Sequence, residues 1–275
     1  MMTAETTTDD RFAGRVVLVT GSGSGIGAVT ATRFAGFGAR VVITDIDAEL
    51  AGRTAAGIEG SLAVPLDVSD QQSVRQAMSV VAEEFGDVEV LVNNAAVCGQ
   101  DPFDDISREH WDRDIAVCLT GSFLMAQAVL PGMRRRGKGA IVNVASVNGV
   151  GYYGNEAYSA AKAGLLSLTR SLAVGYGRHG IRSNAVVPGT ISTPIWDQRV
   201  ADDPGVFDRL QRWYPLGRVG RAEDVAAAIT FLAGDEAGWI NGVELPVDGG
   251  LLAGNGPMAD DILHRPEQLP GLAED

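Results

Sequence analysis

Seven short bursts of β-branched and apolar residues, separated by longer stretches of helical periodicity, leave this chain few possible folds. The bursts are Val16–Val19, Val41–Thr44, Leu62–Leu66, Val88–Val92, Ala140–Val144, Ser183–Val187 and Gly242–Val247. Most carry few charges, as strands buried on both faces do. Between them lie helix-like stretches, Gly25–Gly38, Ala48–Gly57, Gln71–Phe85, Arg108–Arg136, Ala157–His179 and Glu223–Ala233. Strand alternating with helix predicts right-handed βαβ units and a doubly wound parallel β-sheet, Rossmann-like, in three α/β/α layers. The 275 residues fit one large α/β domain more readily than two small ones.

The ends break this rhythm. Residues 1–13 read as a polar, flexible arm, residues 14–253 as the folded domain, and residues 254–275, with Pro257, Pro266 and Pro270, as an extended tail. Pro194–Gly217 is long, mixed in polarity and carries Trp196, Trp213 and Tyr214; it reads as a lid rather than a linker. A formal charge of −13 argues against nucleic acid or an anionic membrane surface as partner. Only two cysteines, Cys98 and Cys118, argue against a disulfide framework and point to a reducing compartment. The N-terminus lacks the apolar core of a signal peptide, and no apolar run is read as approaching the roughly 18 residues of a membrane span. A soluble, cytoplasmic protein with no metal site is expected.

The first βα turn is glycine-rich. Arg15–Thr20 runs directly into Gly21-Ser22-Gly23-Ser24-Gly25-Ile26-Gly27, and a helix follows. A turn of this kind lets backbone approach a dinucleotide pyrophosphate, with the helix N-terminus supplying N–H groups and a positive dipole end. Gly21, Ser24, Gly25, Ile26 and Gly27 are the expected contacts, although the spacing is not G-x-G-x-x-G. Asp45 ends the second burst, with Ile46 beside it. A carboxylate there can accept both hydroxyls of the adenosine ribose and repel a 2′-phosphate, and the turn holds no Lys or Arg, so NAD is expected over NADP. The bland alternative is that Asp45 caps the next helix. Asp67-Val68 and Asn93-Asn94-Ala95-Ala96 fall at the ends of the third and fourth bursts, where open α/β sheets bind ligands.

The proton chemistry lies farther along. Ser146 follows the fifth burst, Tyr158 comes twelve residues later, and Lys162 shares a helix face with Tyr158 at i+4. An ammonium beside a phenol favours phenolate, which predicts a lowered tyrosine pKa and an acid/base usable near neutrality. Ser146 can hold a substrate oxygen while Tyr158 gives or takes the proton. Any one of the three could be a solvated surface residue; the set, after a dinucleotide turn, is hard to reach by chance.

At this point the sequence resembles the short-chain dehydrogenase/reductase family over roughly Arg15 to Leu252. Thr20–Gly27 is similar to its T-G-x-x-x-G-x-G turn, Asn93–Ala96 to its N-N-A-G element, and Val247-Asp248-Gly249-Gly250 to its closing strand. Ser146, Tyr158 and Lys162 match its catalytic set, with Lys162 also bonding the nicotinamide ribose. Pro188-Gly189-Thr190-Ile191-Ser192-Thr193 matches the element that holds the carboxamide, which implies Pro188, Gly189, Ile191 and Thr193. One position departs: Cys118 stands where many members carry a catalytic Asn. The resemblance implies that a backbone carbonyl does the work there, and any residue has one. The family's helix pairing, with the apolar girth of Ala157–His179, implies a homotetramer.

The reading is an NAD-dependent dehydrogenase interconverting a small secondary alcohol and a ketone. Asn148, Tyr153 and Trp196 are expected to line the pocket with Ser146 and Tyr158, which suggests a mostly apolar, cyclic substrate. The competitors are an NADPH-dependent carbonyl reductase, which Asp45 opposes, and a non-catalytic nucleotide sensor on the same fold.

Overall fold

The computed structural model describes residues 10–99 and 101–263. Its strands are β1 (Val16–Thr20), β2 (Arg40–Asp45), β3 (Leu62–Pro65), β4 (Val90–Asn93), β5 (Gly139–Val144), β6 (Ile181–Pro188), β7 (Ile191–Ser192), β8 (Gly220–Arg221) and β9 (Glu244–Val247). Seven of them form one sheet in the order β3-β2-β1-β4-β5-β6-β9, every pair parallel; β7 and β8 pair separately. The helices are α1 (Gly25–Ala35), α2 (Ala48–Ala56), α3 (Gln71–Glu84), α4 (Arg108–Ile115), α5 (Gly121–Arg136), α6 (Glu156–Tyr176), α7 (Asp197–Asp202), α8 (Val206–Leu210), α9 (Ala222–Ala233) and α10 (Gly256–Leu263).

Side chains of a strand alternate between faces. Val17, Val19, Val41 and Ile43 join Phe34 of α1 and Ile229 and Leu232 of α9 in one apolar layer. Val16, Leu18, Val42 and Leu91 join Val81 of α3 and Met125 and Val129 of α5 in the other. Both faces are therefore covered, and apolar bursts without polar alternation are what that requires. The sheet order reverses direction between β1 and β4, which opens a crevice at their C-terminal ends. The glycine turn, Asp45 and Asn93–Ala96 all stand there.

Element ends shift from the sequence expectation by up to three residues. Four differences are larger. Phe12, read as part of the arm, is fully buried: its ring meets Phe34 edge-on at 4.9 Å and its N–H donates to the Phe37 carbonyl at 2.9 Å. Residues 1–9 of the arm lie outside the described residues. The stretch Arg108–Arg136 is not one regular helix, since Ala116–Thr120 forms a π turn between α4 and α5. The same stretch contains an 18-residue window of mean hydropathy 1.6, enough in length and composition to cross a membrane, contrary to the expectation that no run approached that length. In the fold Met125, Val129 and Met133 of this stretch pack on the sheet. Finally, the tail is not extended from its start: Gly256–Leu263 is the helix α10, while residues 264–275 lie outside the described residues.

Candidate active site

The glycine turn is fastened from both neighbouring strands. The Ser22 hydroxyl donates to the Val19 carbonyl (2.7 Å) and accepts from the Thr44 N–H (3.0 Å). Asn94 Nδ2 donates to the carbonyls of Thr20 (2.8 Å) and Gly21 (2.9 Å), while Thr20 Oγ1 accepts from the N–H groups of Asn94 (2.9 Å) and Ala95 (3.0 Å). Gly21 has φ +60°, and a Cβ there would come within 2.8 Å of Ala95 Cα, so both conformation and space require glycine. Asn94 and Ala95 thus hold the turn in shape. Ser24 stands at the N-cap of α1 without a side-chain capping bond, and the first turn has no acidic residue. The first amides of this helix, from Gly25, Ile26 and Gly27, are free of intrahelical partners by geometry, and an anion fits them.

Asp45 reaches back to this turn. Its Oδ2 accepts from the Gly23 N–H at 3.0 Å and its Oδ1 from the Asp47 N–H at 3.1 Å. Asp47, not Asp45, caps α2, accepting from Glu49 and Leu50. The capping alternative for Asp45 is therefore excluded, and its carboxylate is held beside the turn. Ile46 is 74 % exposed next to it. Asp67 is more a turn-maker: its Oδ1 accepts from both the N–H (2.9 Å) and the hydroxyl (2.6 Å) of Ser69. Val68 is buried against Gly121. The residues present fit a dinucleotide: uncapped amides for a pyrophosphate, and a carboxylate where a diol would lie.

Ser146, Tyr158 and Lys162 converge on the next strand of the crevice. Ser146 follows β5 in extended conformation, φ −169°, and opens the short turn Val147–Gly149. That turn presses on α6: a Cβ on Gly149 would lie 2.9 Å from the Lys162 carbonyl carbon. Lys162 is buried, donates to the Val144 carbonyl at 2.6 Å, and places Nζ 5.3 Å from the centroid of the Tyr158 ring. Tyr158 does not show the lowered pKa expected from its lysine. Burial raises it, the Cys118 and Cys98 thiols add to the rise, and a hydrogen bond with Ser146 opposes it. Lys162 itself is lowered by burial. Desolvation outweighs the favourable hydrogen bond from Ser146.

Cys118 lies in the π turn. Its thiol donates to the Val97 carbonyl at 3.3 Å, and its own carbonyl accepts from the Ser122 hydroxyl at 3.2 Å. The irregular turn, a common feature of functional sites, exists with cysteine in it. Asp114, also buried, accepts from the Gly99 N–H at 3.1 Å. Together these two side chains pin residues 97–99 over the crevice. Sequence reasoning missed Asp114, because Arg108–Ile115 is densely charged and nothing in its pattern marks which carboxylate the fold buries.

On the substrate side the expected residues divide. Trp196 stacks at a tilt on Phe207, centroids 5.6 Å apart, and with Thr193, Asp197 and Val200 lines an open cavity of about 590 Å³ on the lid, whose lining includes none of Ser146, Tyr158 and Lys162. Tyr153 is 44 % exposed at the rim. Asn148 is not a free pocket group: its amide is spent on Ser146, the Gly154 carbonyl and Ser159. Gly189 donates to the Val247 carbonyl (3.2 Å), Ile191 is buried, and Thr193 faces Gly25 across the crevice. Pro188 ends β6 directly before them. Tyr214, read only as a lid residue, is a buried anchor whose hydroxyl accepts from the Thr190 N–H at 2.7 Å.

Comparison with known proteins agrees with this fold. The family model described as enoyl-(acyl carrier protein) reductase matches residues 21–252. An uncharacterised oxidoreductase of Schizosaccharomyces pombe is 47 % identical over 90 % of this chain and 95 % of that protein. The cis-4-hydroxycyclohexanecarboxylate dehydrogenase of Sinomonas cyclohexanicum is 44 % identical over 89 % of this chain and 99 % of its own. A crystal structure of an oxidoreductase from Burkholderia thailandensis, described as of the short-chain dehydrogenase/reductase family, superposes with a TM-score of 0.85 at 42 % identity, covering 91 % of this chain and 97 % of that one.

Proposed function

The chain belongs to the short-chain dehydrogenase/reductase family, and from that premise we propose that it is an NAD-dependent dehydrogenase interconverting a secondary alcohol and a ketone. The family's relatives are dehydrogenases and reductases of small alcohols and ketones, and the chain is an oxidoreductase of that kind. The observation that carries the finer reading is the convergence of Ser146, Tyr158 and Lys162 beside the crevice that the glycine turn and Asp45 border.

The α1 amides, Asp45 and the Pro188–Thr193 segment would hold NAD, which when bound would supply the hydride acceptor. The chain's own residues manage the proton and the geometry. Ser146 holds the substrate oxygen. Tyr158, as phenolate, takes the hydroxyl proton of the alcohol, and as phenol returns it in the reverse direction. Lys162, fixed by the Val144 carbonyl, brings its ammonium beside the ring and would bond the nicotinamide ribose. Bringing alcohol, acceptor and base into one orientation is the main catalytic contribution of the fold.

Asp45 supports NAD over NADP, because its carboxylate repels a ribose phosphate. The Trp196–Phe207 wall supports an apolar ring substrate, and a relative at 44 % identity is named for a hydroxycyclohexane acid. We assign the working form to a homotetramer in the cytoplasm, on the exposed Val174, Ala160 and Ala163 of α6 and the low cysteine count. The test is a panel of cyclic and acyclic secondary alcohols with NAD, read by absorbance of the reduced cofactor. Turnover of none of them, in either direction, together with tight NAD binding, would shift the assignment to a nucleotide sensor.

A further inference from the structure

We propose that Asn148 is a positioning residue that aims the Ser146 hydroxyl and ties it to the helix carrying Tyr158 and Lys162. The inference rests on the reading of Ser146 as the group that holds the reacting oxygen.

A serine hydroxyl has one hydrogen and two acceptor lone pairs, and it rotates freely unless its partners stop it. Here Asn148 supplies two partners. Its Oδ1 accepts from Ser146 Oγ at 3.2 Å, and its backbone N–H donates to the same Oγ at 3.2 Å. The same hydroxyl also hydrogen-bonds Tyr158, and because that bond lowers the phenol pKa against burial it is the Ser146 hydrogen that is offered to the phenol oxygen, shared between Asn148 Oδ1 and Tyr158.

The amide that does this cannot turn. Its Nδ2 donates to the Gly154 carbonyl at 2.8 Å and to Ser159 Oγ at 3.2 Å, and the Ser159 hydroxyl in turn donates to the Gly154 carbonyl at 2.8 Å. Exchanging the amide oxygen and nitrogen would set Oδ1 against the Gly154 carbonyl, acceptor against acceptor. The orientation follows from the network. Gly154 and Asn155 have φ +81° and +56°, so the chain makes two successive left-handed steps before entering α6, and this bend aims the Gly154 carbonyl back at Asn148. The Asn148 side chain therefore spans the gap between the loop after β5 and the first turn of α6. Ser159 is the immediate neighbour of Tyr158.

The consequence is a hydroxyl with a fixed oxygen and a transferable hydrogen. The neutral amide oxygen is a modest acceptor, so a substrate oxygen can take the Ser146 hydrogen from it while the Asn148 N–H keeps Oγ in place. A carboxylate at the same position would hold that hydrogen about twice as strongly.

Steady-state kinetics with NAD and an accepted alcohol test this in a double-mutant cycle. Asn148→Ala is expected to lower kcat at least tenfold with KM for NAD within twofold. In a Ser146→Ala background, assayed at high enzyme concentration, the same change should cost less than twofold, because the group it aims is gone. Asn148→Asp, close to isosteric, should lower kcat at least as far as Asn148→Ala, and it stands as the second variant should the alanine protein not fold. Equal losses in both backgrounds would show that Asn148 only places the helix, and kcat within twofold of the natural protein in either single variant would also overturn the inference. Tyr158→Phe run alongside separates the two readings. If it keeps turnover, the proposed mechanism fails; if it abolishes turnover while the Asn148 variants do not, only this inference fails.

Discussion

Lys162 meets the ring of Tyr158 with its ammonium 5.3 Å from the ring centroid while donating to the Val144 carbonyl at 2.6 Å. The lysine is thus anchored to β5 and offers its charge to the tyrosine ring. Tyr158→Phe keeps that packing and removes only the proton carrier. It is expected to abolish nearly all turnover while leaving NAD affinity within a few-fold, measured by quenching of protein fluorescence. Lys162→Ala should weaken both, and a tenth of the natural rate surviving in the Phe variant would remove Tyr158 from its role as base.

The pH behaviour follows from burial. The folded site holds Tyr158 protonated more tightly than the unfolded chain does. Its contribution to stability is therefore full below the ordinary tyrosine pKa of about 10 and is lost as pH rises through the higher folded value. Difference absorbance between the natural protein and Tyr158→Phe should place ionisation of the bare phenol above the ordinary range. Saturation with oxidised cofactor, whose nicotinamide ring is cationic, should move it down, and alcohol oxidation should accelerate with pH across that limb. Ionisation near neutrality without cofactor would contradict the burial account.

Asp45 faces the glycine turn through the Gly23 N–H, 3.0 Å from its Oδ2. Repulsion of a 2′-phosphate and lost ribose hydrogen bonds should favour NAD over NADP by roughly 2–4 kcal/mol. Asp45→Ala should narrow that gap in titrations of both cofactors. Equal affinity in the natural protein would return the NADPH-dependent reductase to first place.

The π turn forms with cysteine in it, and if only the Cys118 backbone carbonyl serves a proton relay, any residue would supply it. Cys118→Asn is accordingly expected to change kcat by less than about tenfold, or roughly 1.4 kcal/mol. A gain of several hundredfold would mark the natural protein as an impaired or repurposed enzyme.

Assembly can be tested directly. Val174 on α6 is 86 % exposed, Trp239 between α9 and β9 is fully exposed, and Phe231 on α9 is 39 % exposed. Contacts between copies are expected at these exposed apolar residues, one on α6 and one along α9 and the segment before β9. Light scattering is expected to give four times the chain mass of 28.8 kDa, with a dimer as the lesser form. The single-chain mass at micromolar concentration would refute both.

Local patterns carried the parallel sheet, the glycine turn, Asp45, Ser146, Tyr158 and Lys162, because each depends on periodicity or on spacing within one βα unit. Burial on both faces leaves its mark in every strand, and a turn between strand and helix is written in consecutive residues. Tertiary structure alone decided the rest. Phe12 looked like part of a polar arm until Phe34 and Phe37 were brought beside it. The Tyr158 pKa could be argued from its lysine four residues on, but desolvation depends on everything that packs around the ring. Asn148 resembled a pocket residue because its partners, Gly154 and Ser159, lie across a loop whose two left-handed steps no spacing rule reveals. Hydrogen-bond capacity is a property of the side chain; who consumes it is settled only when distant segments meet.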